Sequence, residues 1–325
     1  MLKRVLLPLV LSLCSLPIRA AAPVPGNPVV QDLNFGRADD ALQRLNATLA
    51  QSPSDAQAHN YRCRVYYQEQ QWDPAIADCE AAVRLEPGNS NYHLWLGRAY
   101  GLKAQHVSMM SGYKLAHKVA AEFQQAVQLD PRNAAALEDL GEFDTKAPGV
   151  AGGGVGHASN LVAQLQALDP AAALQLEAQI AENHKDYKSA EADLRTALTQ
   201  SADPAAAWME LASFYRSRGR MDDMVAAVHN GAALDTRHTA ALVDGADDLA
   251  AAGREPQVAV QYLQEYLASH AQSEDAPAFT VHAQLAKLLS EQGNGGAAEQ
   301  QIAAAHALAS GYRIAPQNLS AKVGQ

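Results

Sequence analysis

Two cysteines, Cys63 and Cys79, are the residues whose type and spacing speak most directly of chemistry. A third, Cys14, falls in a leader-like segment that processing would remove. If a helical hairpin turns near Gln71, residues 63 and 79 lie equally far from the turn, one on each antiparallel helix, at two of the closest core positions. A disulfide there would close a loop of fifteen intervening residues and contribute roughly 3 kcal/mol where the geometry suits it. The alternative is a pair of packed thiols filling small core sites.

Other candidates for chemistry are weaker. The run Gly149-Val150-Ala151-Gly152-Gly153-Gly154-Val155-Gly156 is rich enough in glycine to suggest a phosphate cradle. It lacks the lysine followed by serine or threonine that such a cradle needs, and a helix rather than a strand precedes it, so an enlarged turn is the better reading. The 11 histidines include no pair at helical spacing with a glutamate between them, the pattern of a zinc-binding helix. No Ser, His and acid set stands out. No catalytic residue, metal ligand or cofactor is therefore assigned.

Charge patterning offers more. Between Glu86 and Glu122 there is no Asp or Glu, while Arg98, Lys103, Lys114 and Lys118 are joined by His93, His106 and His117. The same stretch holds Tyr92, Trp95, Tyr100 and Tyr113. Arginine beside aromatic side chains is the composition of an interface anchor. Asn60, Arg64 and Tyr67 on one helix, and Leu94, Arg98 and Leu102 on the next, share the face expected to turn inward, with Trp95 at its edge. Asn60, Arg64, Tyr67, Trp95, Arg98 and Lys103 are the candidate partner-binding residues, suited to a protein or peptide with an acidic segment.

Elements of a repeating kind must position these side chains. Leu85-Glu86-Pro87-Gly88-Asn89, Leu129-Asp130-Pro131-Arg132-Asn133, Leu168-Asp169-Pro170-Ala171 and Leu234-Asp235-Thr236-Arg237 each close an amphipathic run. With Pro53 and Pro204 the marks advance in steps of 34, 44, 39, 34 and 32 residues. Alanine-rich runs between such breakers predict two antiparallel helices per unit and no β-structure. In the clearest unit, residues 56–87, Ala75 and Ala82 let the helices approach, Tyr66 fills the gap beside them and Pro87 ends the second helix. Extra residues lengthen the next hairpin, 91–131, with Met109 and Met110 at its tip, and others occupy the glycine-rich loop 146–157.

Tyr66, Ala75, Ala82 and Pro87, then Leu96, Gly97, Tyr100, Ala126 and Pro131, then Trp208, Leu211, Ala212 and Tyr215, stand where tetratricopeptide repeats resemble one another. The resemblance covers residues 30–310. It implies an all-α, right-handed α-solenoid superhelix of antiparallel helix pairs, about seven full repeats plus a partial N-terminal one, whose product is a surface. The segments Trp95 to Gly101 and Ala147 to Gly154 are similar to a group of secreted bacterial repeat proteins without established activity. Some members of the wider family grip a terminal carboxylate with lysine, asparagine and arginine; Leu94, Glu138 and Glu142 depart from that set.

The first twenty residues read as a cleaved secretory signal, because Lys3 and Arg4 precede an apolar run, Val5 to Leu16, too short for a permanent anchor. Lipoprotein processing at Cys14 is disfavoured by Leu13 before it. Loss of Lys3, Arg4 and Arg19 takes the formal net charge from −10 to −13, which disfavours nucleic acid as a partner. Residues 21–29 read as a disordered lead-in and 311–325 as a loose tail. No later segment is long and apolar enough to span a membrane, so a soluble periplasmic or secreted protein is expected. The function expected is a non-catalytic scaffold for protein or peptide binding, with small-solute binding in association with transport as the alternative.

Overall fold

The computed structural model describes residues 26–314. The expected signal, most of the lead-in and the tail beyond residue 314 lie outside that span. The described chain is built from helix pairs with no strand between them. The first four pairs are α1 (Pro28–Asn34) with α2 (Ala38–Gln51), α3 (Ala56–Gln68) with α4 (Trp72–Leu85), α5 (Ser90–Ala104) with α6 (Met109–Leu129), and α7 (Ala134–Lys146) with α8 (Val155–Leu168). Four more follow: α9 (Pro170–Asn183) with α10 (Tyr187–Gln200), α11 (Pro204–Ser217) with α12 (Met221–Leu234), α13 (Ala240–Ala251) with α14 (Pro256–Ala268), and α15 (Ala278–Glu291) with α16 (Gly295–Leu308). Seven full pairs thus follow a short first one, an all-α superhelix of stacked hairpins.

The recurring punctuation both stops and starts helices. Proline cannot continue the outgoing helix, and the Asp or Asn near it caps the incoming one. Asp55 accepts from the Ala58 amide, Asn133 from Ala136, Asp169 from Ala171 and Ala172, and Asp203 from Ala206. Between the marks, small side chains set the spacing. Ala75, Ala82, Ala126, Ala190 and Ala212 have no exposed surface. Gly97 lies against Phe123 so closely that an added Cβ would come within 2.5 Å of its ring. Cys63 and Cys79 meet across α3 and α4 with their Cα atoms 5.4 Å apart and form a disulfide.

The third hairpin carries the insertion. Helix α6 runs for 21 residues, and its first turn projects Met109 and Met110 into solvent at 70% and 68% exposure. The glycine-rich segment makes one 3-10 turn, Gly149–Ala151, before α8. Gly152 adopts φ +96 against His117, and a Cβ at Gly153 would collide with the Ala147 carbonyl. Both positions therefore demand glycine.

The two ends of the array meet. Phe279, Ala305 and Ala309 from the last pair share a buried apolar cluster with Leu33, Leu45 and Val65 from the first helices. Gly36, at φ +60, lies on the backbone of Pro277 and Ala278, where any Cβ would overlap. Asp39 accepts hydrogen bonds from the amide and hydroxyl of Ser310. Gln71 Nε2 donates to Glu69 Oε2 at 2.9 Å and to the Gly311 carbonyl at 3.3 Å. The repeats consequently form a closed course rather than an open arc.

Candidate functional site

Helices α3 and α5 bring four of the candidates, Arg64, Tyr67, Trp95 and Arg98, together, and α7 faces them on the concave side. Trp95 is the hub. The Arg64 guanidinium lies 4.9 Å and that of Arg98 4.8 Å from its ring centroid, and Tyr67 meets it edge-on at 5.6 Å. Such cation–π contacts hold both arginines in place. Each arginine also has an acid. Arg98 Nε donates to Asp139 Oδ2 at 2.6 Å and its Nη2 to Oδ1 at 3.1 Å, while Arg64 donates through Nε and Nη2 to Glu274 Oε2.

The basic island is neutralised in the same way elsewhere. Lys103 pairs with Asp73 on α4, His93 with Glu122 at 2.6 Å, and the Lys118 ammonium stands 4.5 Å from the Tyr100 ring centroid. The charge of Arg64, Arg98 and Lys103, on which an acidic partner segment was expected, is therefore already matched within the chain. Of the six candidate residues, Tyr67, Trp95 and Arg98 line one cavity. Arg64 supports Trp95 from behind. Lys103 does not line the cavity, and Asn60 is 4% exposed, buried beside α3's core with an unpaired Nδ2.

That cavity has a volume of about 630 Å³, within the range of small-ligand sites. Its apolar wall comes from Tyr67, Trp95, Leu102, Val119, Phe123 and Phe143, and its polar groups include Gln68, Asp139, Glu142, Glu274 and Asp275. Residues 274 and 275 belong to the loop between α14 and α15, so the closed course completes the wall. A second cavity of about 140 Å³ shares Glu142 and continues past Glu138, Gln179 and Glu210.

Electrostatics on this face are set first by burial and then by like charges held close. Burial pushes the Glu138 carboxyl up to about 7, helped by Asp169 and Asp139 and opposed by Arg98. Asp244 rises to about 7 through burial and then the fields of Glu210, Asp247, Asp248 and Asp275. Glu210 is raised by burial and by Glu142, against Lys146. Carboxylates from α7, α11, α13 and the 274–275 loop therefore sense one another across the concave surface.

Three of the histidines have structural partners on the helix behind them. His59 sets Nδ1 2.8 Å from Asp78 and Nε2 3.0 Å from the Pro53 carbonyl. His93 repeats the device with Glu122 and the Pro87 carbonyl, and His282 meets Gln301 at 2.7 Å. Each ties the start of a first helix to the second helix behind it. Among the described residues no group of three or more His, Cys, Asp or Glu converges as metal ligands would, and no helix is long and apolar enough to cross a membrane.

Sequence reasoning missed Gln68, Phe143, Glu274 and Asp275 as parts of the site. The last two come from a loop more than 200 positions away from Arg64, and no local pattern marks them. Glu138 and Glu142 were visible, standing where an earlier repeat has Asn60 and Arg64, and are the signal that the face changes sign.

Comparison with known proteins bears on this architecture. The family profile described as tetratricopeptide repeat matches residues 32–90 and 176–228. No curated protein matches the chain. Among solved structures, yeast Tom70 aligns with a TM-score of 0.51 at 14% identity, over 88% of this chain and 61% of that one. A tetratricopeptide repeat protein from Parabacteroides merdae aligns at 0.48 and 12% identity, over 81% and 100%. The thermophilic repeat protein TTC0263 of Thermus thermophilus aligns at 0.41 and 19%, over 74% and 96%.

Proposed function

We propose that this tetratricopeptide-repeat chain is an exported, non-catalytic scaffold that receives a segment of another protein on its concave face. Repeat folds of this kind offer extended surfaces for protein–protein interaction. The observation that carries the reading is the cavity of about 630 Å³ walled by Tyr67, Trp95 and Phe143, whose aromatic floor is locked by Arg64 and Arg98 rather than left mobile. Preorganised aromatic side chains are what interface hot spots use. The Cys63–Cys79 disulfide supports an oxidising compartment, in keeping with the signal-like residues 1–20. A periplasmic or secreted location follows from that reading.

Site-specific photo-crosslinking in cell envelopes tests it. A crosslinker at Ala104 or Gln105, on the cavity rim, should capture a discrete protein adduct, whereas one at Glu299, on the outer helix α16, should not. Equal or absent adducts at both positions would reject the concave face as the contact. The cavity's volume also favours a second reading, a small-solute component. A saturable thermal shift with an organic acid, amino acid or lipid, without any protein adduct, would select it.

A further inference from the structure

Once Arg98 is matched to Asp139 and Arg64 to Glu274, the charge left over on the concave face is negative. Glu138 on α7, Glu210 on α11, Asp244 and Asp247 on α13 and Asp275 in the α14–α15 loop supply it, with Glu142 on α7 shared with Lys146. Lys146, itself paired with Glu142 at 2.6 Å, is the only basic side chain lining the two cavities besides Arg98. A second observation points to a ligand. Gln68, 7% exposed, lies in the wall of the larger cavity; its Nε2 donates to the Glu274 carbonyl at 3.2 Å, and its Oε1 receives no hydrogen bond. A buried acceptor without a donor is costly and is relieved by a group that brings N–H.

We infer that the segment received on this face is basic: a lysine or arginine side chain enters the cavity between Tyr67, Phe143 and Asp275, and further positive charges follow Glu142 toward Glu138 and Glu210. The inference rests on the protein-binding reading and names the partner's chemistry. An amphipathic cation fits what is there, since its methylene stem lies on aromatic and aliphatic wall while its head reaches carboxylates. The burial and mutual repulsion that hold Glu138 and Asp244 near 7 are eased by a bound cation. Nucleic acid is repelled by the same field, and the absence of converging metal ligands among the described residues leaves organic cations as the complementary class.

The test uses a fluorescein-labelled decapeptide of alternating lysine and alanine and its glutamate–alanine counterpart, read by anisotropy, and spermine, read by titration calorimetry, each against the full folded protein. The lysine peptide should bind, the glutamate peptide should not, and affinity should fall by about tenfold in the Glu142→Gln/Asp275→Asn double variant. Asp223→Asn, an exposed acid on α12, should leave affinity unchanged. Both acids of the double variant are exposed, and an unaltered circular dichroism melt verifies the fold. Equal weakening by Asp223→Asn would reduce the effect to net charge and overturn the site. Spermine binding that is sensitive to the double variant, with no peptide binding, would make the ligand a small amine and overturn the peptide. If the crosslinked partner docks at Ala104 through a neutral or acidic segment, the scaffold reading survives and the charge assignment falls.

Discussion

At the scale of single residues, the structure turns on small side chains and on one covalent bond. The Cys63–Cys79 bridge clips α3 to α4 in the unit whose first helix carries Arg64, Tyr67 and Gln68. Replacing both cysteines with alanine should lower stability by about 2–4 kcal/mol, the usual contribution of such a bridge, read as an earlier midpoint in a urea titration; an unchanged midpoint under non-reducing conditions would show that the bridge constrains nothing. Gly97→Ala tests close approach instead. The new methyl meets the Phe123 ring at 2.5 Å, and overpacking of this kind costs about 1–3 kcal/mol, so the melt should move down although alanine is the better helix former. A stabilised variant would mean that α5 and α6 can separate freely.

At the scale of elements, the informative contact is the docking of the α14–α15 loop and the last pair onto α1–α3. Arg64 and Glu274 are 15% and 21% exposed at their side chains, so truncating one leaves the other half-buried and unpaired. Arg64→Ala should loosen this seam and free Trp95 on one side. Small-angle scattering is expected to give a larger radius of gyration, with helicity preserved. An unchanged scattering profile would place the closure in the apolar contacts of Phe279 and Leu33 alone. The elements themselves were legible in the sequence because they are encoded locally: Pro87, Pro131 and Pro170 end or open helices with capping residues at hand, and Ala75 and Ala82 announce the close pairing. The charge of the site was not legible. Arg98 finds its counter-ion at position 139 and Arg64 at position 274, so two arginines that read as free in one dimension are paired in three.

At the scale of the whole molecule, the concave acids govern the response to pH. Burial and like charges raise Glu69, Glu138 and Asp244 to about 7 and Asp247 to about 6, and burial alone, against His157, raises Asp144 to about 6. For these groups the folded state holds protons that the unfolded chain has already released, from the ordinary carboxylate range up to about pH 7. Stability must therefore fall as pH rises through that window. His282, lowered by burial, acts in the opposite sense below its ordinary value, a single imidazole against several raised carboxyls. The melting temperature should be higher at pH 5.5 than at pH 8, and the difference should shrink in Asp244→Asn. A melt that rises with pH over this interval would contradict the assignment of these carboxyls. Exposure of several of them to solvent makes the effect modest.

Joining of first and last helices also has a temporal side. Chains emerge from synthesis N-terminus first, so Leu33, Leu45 and Val65 must wait for Phe279, Ala305 and Ala309, more than 200 positions later, before their apolar surface is covered. Until then the nascent array is a ribbon with one sticky edge, and its final maturation is a ring-closing event that no shorter fragment can rehearse.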